Sequence, residues 1–184
     1  MIIGIAGSFG SGKGMVADYL VKQKGFFHFS AREFIFQEAE KRGLSRDGGR
    51  EVLIPVANDL RAKGGPAFIA DALYSQAVEN GGDAVLESFR AIAEVERLQE
   101  LGGVVLGVDA APEIRYERTV ARGSETDHVS FEEWRNHETR ESNPDDRTKQ
   151  DIFGSLAASD HVVKNEGTIE ELHQKVEEWL QTIA

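Results

Sequence analysis

The chain has 184 residues, no cysteine and a formal charge of −11. That length suits one domain, residues 1–184, and the missing cysteine excludes disulfides, thiolate zinc sites and thiol catalysis. The acidic balance argues against binding to long nucleic acid, which needs a basic surface. The apolar runs, such as Met1 to Ala6 and Val104 to Val108, are far too short to span a membrane. With no leader pattern in residues 1–7, the expectation is a cytoplasmic protein without a membrane partner. Nothing in the sequence implies a protein partner.

Met1 to Ala6 is a short apolar run that predicts a buried strand. The segment Gly7 to Gly14 is glycine-rich, and Val16, Ala17, Leu20 and Val21 then share one helical face before Gly25. Phe26 to Phe29 predicts a second strand. Ser30-Ala-Arg-Glu33 is a capping-box pattern that starts a helix running to about Lys41. The next segment is polar and then helical, with Pro55 breaking or kinking it. Pro66 opens another helix, which ends near Glu79.

Asp83 to Glu87 predicts a third strand, Ala93 to Leu101 a helix, Val104 to Asp109 a fourth strand, and Pro112 to Arg122 a helix. Residues 124–150 are polar, with a second capping box at Ser130 to Glu133 starting a short helix. Ile152 to Ala158 is a further helical stretch, and His161 to Val163 is a weak fifth strand. A final helix follows a third capping box, with Ile169, Leu172, Val176, Trp179, Leu180 and Ile183 on one face. Strands alternating with helices predict an α/β fold, a mostly parallel five-stranded sheet covered on both faces. Ligands in such sheets gather beyond the carboxyl ends of the strands.

Gly7, Ser8, Phe9, Gly10, Ser11, Gly12 and Lys13 fit G-x-x-x-x-G-K, a phosphate-binding loop, after a strand and before a helix. Glycines let successive backbone N–H groups turn onto phosphate oxygens. The following helix offers its positive end, and Lys13 can reach the outer phosphates. The Ser or Thr that normally follows the lysine is missing; Gly14 and Met15 stand there instead. Magnesium therefore needs another anchor, or rests on nucleotide phosphates and water.

With these residues the chain resembles the P-loop nucleotide kinases over nearly its whole length. GSFGSGKG is similar to the adenylate-kinase loop, in which glycine also follows the lysine. The resemblance implies a three-layer P-loop kinase fold, ATP and Mg2+ as cofactors, an acceptor-binding region at about 31–80 and a lid at about 123–150. It makes the loop residues through Gly14 and Met15 the ATP contacts. Ser30 and Arg32 resemble the acceptor-side hydroxyl and arginine. Glu87 and Arg90, in Glu87-Ser-Phe-Arg90, resemble an acidic-to-arginine element whose carboxylate sits near magnesium, through water, and whose arginine holds the acceptor phosphate. Arg118 and Arg122 resemble arginines at the base of the lid, and Arg140 and Arg147 further lid arginines. The stretch through Asn165 and Gly167 looks more like dephospho-CoA kinase, where the Asn-x-Gly loop lies by adenine.

Charge points to the acceptor. A hydroxyl acceptor benefits from a base, and dephospho-CoA kinases carry an aspartate just after strand two; this chain has Ser30 there. A monophosphate is already largely a dianion at neutral pH and needs positive charge instead. Ten of the thirteen arginines lie in residues 1–122, a nearly neutral segment with a net charge of −2, against −9 for residues 123–184. Arg32, Arg61, Arg90, Arg118 and Arg122 are placed at predicted rims. The expectation is transfer of a phosphoryl group from ATP to a nucleoside or deoxynucleoside monophosphate. Lys13, Arg90, Arg118 and Arg122 are the expected catalytic residues; Ser30, Arg32, Arg61, Glu87, Arg90 and Arg140 are the expected acceptor contacts. Transfer to a hydroxyl, as in dephospho-CoA kinases, and a nucleotide-binding module with little catalysis stay open. Asp109, His28 and Trp179 read as structural, and Trp134 as an anchor for the lid helix.

Overall fold

The computed structural model describes residues 1–123 and 129–183. Residues 124–128 of the expected lid lie outside the described residues. The elements follow the predicted order: β1 Ile2–Gly7, α1 Lys13–Lys24, β2 Phe27–Ser30, α2 Ala31–Lys41, α3 Gly49–Gly64, α4 Phe68–Asn80, β3 Ala84–Phe89, α5 Ile92–Glu100, β4 Val104–Asp109, α6 Pro112–Arg122, α7 Phe131–Arg140, α8 Ile152–Ala157, β5 His161–Lys164 and α9 Ile169–Ile183. A single 3-10 turn at Arg46–Gly48 precedes α3.

The five strands are all parallel, in the order β2-β3-β1-β4-β5. β1 lies in the centre because Ile3 and Ile5 face one helical layer while Gly4 admits the other. A Cβ on Gly4 would stand 2.7 Å from the end of the Leu98 side chain of α5, so a larger residue there would force Leu98 to move. On one face, Ile3, Ile5, Val16, Ala17 and Leu20 pack with Leu172, Val176 and Trp179 of α9. On the other, Ala31, Ile35, Val56, Leu60, Ile69, Leu73 and Leu98 cover Leu86 and Val105. Each fully buried aliphatic side chain contributes roughly 1.5–3 kcal/mol, so the two layers fix the carboxyl ends of β1, β3 and β4 along one edge.

Three expectations change in detail. α3 runs unbroken through Pro55, which stands on its exposed side, where water can satisfy the carbonyl the proline leaves without a donor. Pro66 precedes α4 rather than starting it, since the helix begins at Phe68. The face of α9 is as predicted apart from Ile169, which is exposed at the first turn. Among the described residues no helix is long and apolar enough to cross a membrane.

Candidate active site

The loop after β1 is held from outside by side-chain donors. Lys13 Nζ donates to the carbonyls of Gly7 and Ser8 at 2.8 and 2.7 Å. Arg115 Nη1 donates to the Phe9 carbonyl at 3.2 Å, and Asn165 Nδ2 to the Ser11 carbonyl at 2.8 Å. Ser8 Oγ donates to Asp109 Oδ1 at 3.2 Å. Of the loop N–H groups, that of Ser11 donates to the Ser8 carbonyl at 3.4 Å. Among the described residues no acceptor takes the N–H of Phe9, Gly10, Gly12, Lys13 or Gly14. A run of such donors at a helix N-terminus is a seat for phosphate oxygens.

Two glycines are required there. Gly10 has φ 70°, and a Cβ would stand 2.2 Å from the Arg115 carbonyl; Gly12 has φ 98°, and a Cβ would stand 2.3 Å from Asn165 Nδ2. Either would push the loop off its supports. Burial presses the Lys13 ammonium down to about 7, with Arg90 adding to the effect and Glu87 opposing it. A bound polyphosphate would reverse that shift.

Glu87 ends β3 beside the loop. Its Oε2 is 3.0 Å from His28 Nε2, and its Oε1 lies 3.8 Å from where a Cβ on Gly14 would stand. The next residue, Ser88, has φ 77° and bulges out of the β1–β3 register, since Ile5 pairs with Glu87 and Ala6 with Phe89. This bulge turns the chain so that Glu87 faces the loop and Arg90 faces the same edge.

Arg90 is the centre of an arginine cluster. Burial lowers its pKa, Glu141 opposes that, and Arg50, Arg32 and Arg61 lower it further by repulsion. The Arg50 and Arg90 guanidinium carbons lie 4.1 and 5.1 Å from the centre of the Phe9 ring. Arg90 Nη1 donates to Glu141 Oε2 at 2.8 Å. Arg32 is exposed and lies over Phe36.

The helix α7 packs directly on this site. Trp134 is buried against Phe9 and Ile152, as its expected anchoring role requires. Glu138 forms a buried ion pair with Arg115, whose Nε also donates to the Ala110 carbonyl at 2.9 Å.

Several predicted site residues stand elsewhere than expected. Arg61 is only 2% exposed, and its Nε and Nη2 donate to Glu94 Oε1 at 2.9 and 2.7 Å. It therefore offers no accessible guanidinium to an acceptor, and its charge is already neutralised. Asn165 is buried and spends its amide on the loop, so it supports the donor site from behind. Ser30 caps α2, accepting from the Glu33 N–H at 3.3 Å. Ser11 is fully buried inside the loop, and Met15 is partly buried against the core. Arg118 donates to the Asn165 carbonyl at 2.9 Å, next to the loop, and Gly167 lies exposed two residues beyond it. Arg122, one turn on from Arg118, is exposed at the end of α6. Arg140 is exposed at the end of α7 and, among the described residues, bonds neither the loop nor the arginine cluster. Arg147 pairs instead with Glu96 on α5.

Sequence reasoning missed Arg50 and Arg115. Arg115 stands one turn before Arg118 on α6, a spacing that would have placed it on the same side of that helix. Arg50 has no motif; only the packing of α3 brings it over Phe9. Asp109 has a larger part than expected, since Oδ1 receives Ser8 and Oδ2 receives Lys164 at 2.6 Å.

A strand, a glycine loop ending in lysine and a helix, set in a parallel five-stranded sheet, define a P-loop nucleotide-kinase fold. The chain belongs to the AAA domain family, whose profile matches residues 3–143, and to the UPF0200 proteins. The UPF0200 protein of Pyrobaculum aerophilum is 32% identical, covering 95% of this chain and 94% of its own. That of Pyrococcus horikoshii is 29% identical, covering 100% and 97%. Among solved structures, TT1252 from Thermus thermophilus is similar with a TM-score of 0.59 at 21% identity, covering 100% of this chain and 98% of its own. A shikimate kinase from Bacteroides thetaiotaomicron is similar with a TM-score of 0.59 at 11% identity, covering 98% of each chain. At these identities the structural likeness establishes the shared fold.

Proposed function

We propose that this protein transfers the γ-phosphoryl group of ATP to a nucleoside or deoxynucleoside monophosphate. The observation that carries this reading is the charge around Arg90. Four arginines gather there, Arg32, Arg50, Arg61 and Arg90, and two carboxylates answer them: Glu94 on Arg61 and Glu141 on Arg90. The surplus of two positive charges matches a phosphate monoester dianion. Ser30, standing where a hydroxyl-phosphorylating relative would carry a base, is engaged as a helix cap.

In this reading the loop N–H groups and Lys13 hold the donor phosphates. Arg90, with Arg32 and Arg50, holds the acceptor phosphate. Arg118 and Arg122 flank the donor, with Arg118 resting on the Asn165-x-Gly167 turn. Residues 31–80 serve the acceptor and 123–150 act as the lid, which excludes water on closing. The residues present fit a magnesium ion carried in with the nucleotide: Glu87 Oε1 faces the loop beside Gly14, in the space a hydroxyl-bearing residue would otherwise take. Glu87 would hold that ion through water, and the ion would supply charge neutralisation between donor and acceptor phosphates. The reaction itself is then a matter of bringing two polyanions together and stabilising the transferring group.

The test is incubation with ATP and magnesium against a panel of nucleoside monophosphates, deoxynucleoside monophosphates and dephospho-CoA, with ADP and phosphorylated product measured. Turnover of a monophosphate supports the reading. Turnover of dephospho-CoA alone, or nucleotide binding with no turnover, overturns it.

A further inference from the structure

Glu141 caps the C-terminus of α7 and is 7% exposed. Its Oε2 accepts from Arg90 Nη1 at 2.8 Å. The backbone behind this contact is closed on itself: the Asp151 N–H donates to the Arg90 carbonyl at 2.7 Å, and the Ile152 N–H to the Glu141 carbonyl at 3.4 Å. One turn earlier, Glu138 is buried against Arg115. The same helix seats Trp134 against Phe9 of the loop. One face of α7 therefore delivers a carboxylate to the centre of the arginine cluster.

Among the four arginines there, Arg61 is satisfied by Glu94 within the core. Arg32 and Arg50 have no carboxylate partner among the described residues. Arg90 alone of the three facing the site is occupied, and its occupant belongs to the lid segment. Glu141 takes Arg90 Nη1 through one carboxylate oxygen, and a phosphate oxygen is an acceptor of the same kind, so Glu141 and an acceptor phosphate compete for that donor.

We infer that Glu141 is a tethered competitor for the acceptor phosphate, a specificity-determining residue that an entering anion must displace from Arg90. The inference rests on the phosphate-acceptor reading above. Tethering keeps the carboxylate at high effective concentration. A phosphate dianion replaces it by bonding Arg90 together with Arg32 and Arg50, and a ligand without an anionic group has no means of opening the contact.

The test fills the loop with ADP and magnesium, then titrates methyl phosphate at pH 8, following the thermal midpoint. In Glu141→Gln the apparent affinity for methyl phosphate is expected to rise at least tenfold over wild type. The double variant Arg90→Gln/Glu141→Gln is expected to lose that gain. Glu141→Asp keeps the charge but retracts the carboxylate, so it is expected to gain about threefold and serves if Glu141→Gln does not fold. If Glu141 merely orients Arg90, both single variants bind methyl phosphate more weakly than wild type, and that result overturns the inference, as does an unchanged affinity. A wild-type protein that ADP fails to stabilise overturns instead the nucleotide reading on which the inference rests.

Discussion

Arg61 and Glu94 form a two-pronged ion pair inside the core, and the second carboxylate oxygen of Glu94 accepts the N–H groups of Arg90 and Ala91 at 2.9 and 3.1 Å. The pair thus joins α3 to the start of α5 and fixes the backbone from which Arg90 projects. Removing one partner leaves an uncompensated buried charge, which typically costs 3–5 kcal/mol, or about that here. Arg61→Met and Glu94→Gln are both expected to lose roughly this much stability in urea unfolding. Combining Arg61→Met with Glu94→Gln, which removes both charges and keeps an oxygen for the Arg90 and Ala91 N–H groups, is expected to recover part of it. A stability change near zero for Arg61→Met would contradict the structural role.

Arg50 makes the opposite prediction. It lies over Phe9 and has no carboxylate partner among the described residues. Arg50→Gln should therefore cost no more than about 1 kcal/mol of stability, the worth of its cation–π contact with Phe9. Its cost should appear as a rise of about tenfold or more in the acceptor KM, the worth of one charge-assisted hydrogen bond. Steady-state kinetics with the acceptor that the panel identifies, together with a urea titration, separates the two quantities.

This contrast shows what was legible in the sequence. The phosphate loop was readable because its chemistry is local: two glycines and a lysine at fixed spacing between a strand and a helix. The sheet was readable because each strand is a short apolar run between helical periods, and Glu87 and Arg90 could be placed because they close such a run. Arg61 and Arg50 stand on the same helix, and nothing local distinguishes the core-facing guanidinium from the site-facing one. That difference is set by Glu94, which lies 33 positions away in sequence. The resemblance places Asn165 by adenine, whereas its amide holds the Ser11 carbonyl, a contact that spans 154 positions and has no signature in spacing. Pro55 predicted a kink that the exposed side of α3 does not need.

The Asn165 contact carries its own test. Asn165→Ala removes the amide that holds the Ser11 carbonyl, and Asn165→Asp sets a carboxylate oxygen against it. Loss of one hydrogen bond is worth about 1 kcal/mol, or roughly fivefold in ATP affinity; Asn165→Asp, which adds repulsion, is expected to weaken ATP further than Asn165→Ala. Isothermal titration of ATP reads both. Equal affinities for the two variants and wild type would show that the loop holds its shape without this support.

Ser88 tests the bulge. A non-glycine residue at positive φ costs roughly 1–2 kcal/mol, and glycine at a strand end costs roughly 0.5–1 kcal/mol in chain entropy. Ser88→Gly is therefore expected to raise stability by up to about 1 kcal/mol. Ser88→Val, whose branched side chain tolerates this conformation poorly, is expected to lower it and to disturb Glu87 before it and Arg90 two residues beyond. A thermal midpoint for Ser88→Val equal to that of wild type would refute the strain.

Lys13 gives the pH dependence. Its pKa in the folded protein is pushed down to about 7 by burial, from an ordinary value of 10.5. Between these values the unfolded chain holds a proton on Lys13 that the folded chain has released. The folded state is therefore penalised most at and below about pH 7, and this group's contribution makes the nucleotide-free protein more stable as pH rises from there toward 10.5. Binding reverses the preference, because the donor phosphates favour the ammonium. ATP binding at pH 8 is thus expected to take up a fraction of a proton, approaching one. Calorimetric titrations in buffers of different ionisation enthalpy measure that uptake directly. Lys13→Gln is expected to abolish it and to lose phosphoryl transfer while keeping the fold. Proton uptake that persists in Lys13→Gln would place the titrating group elsewhere in the site.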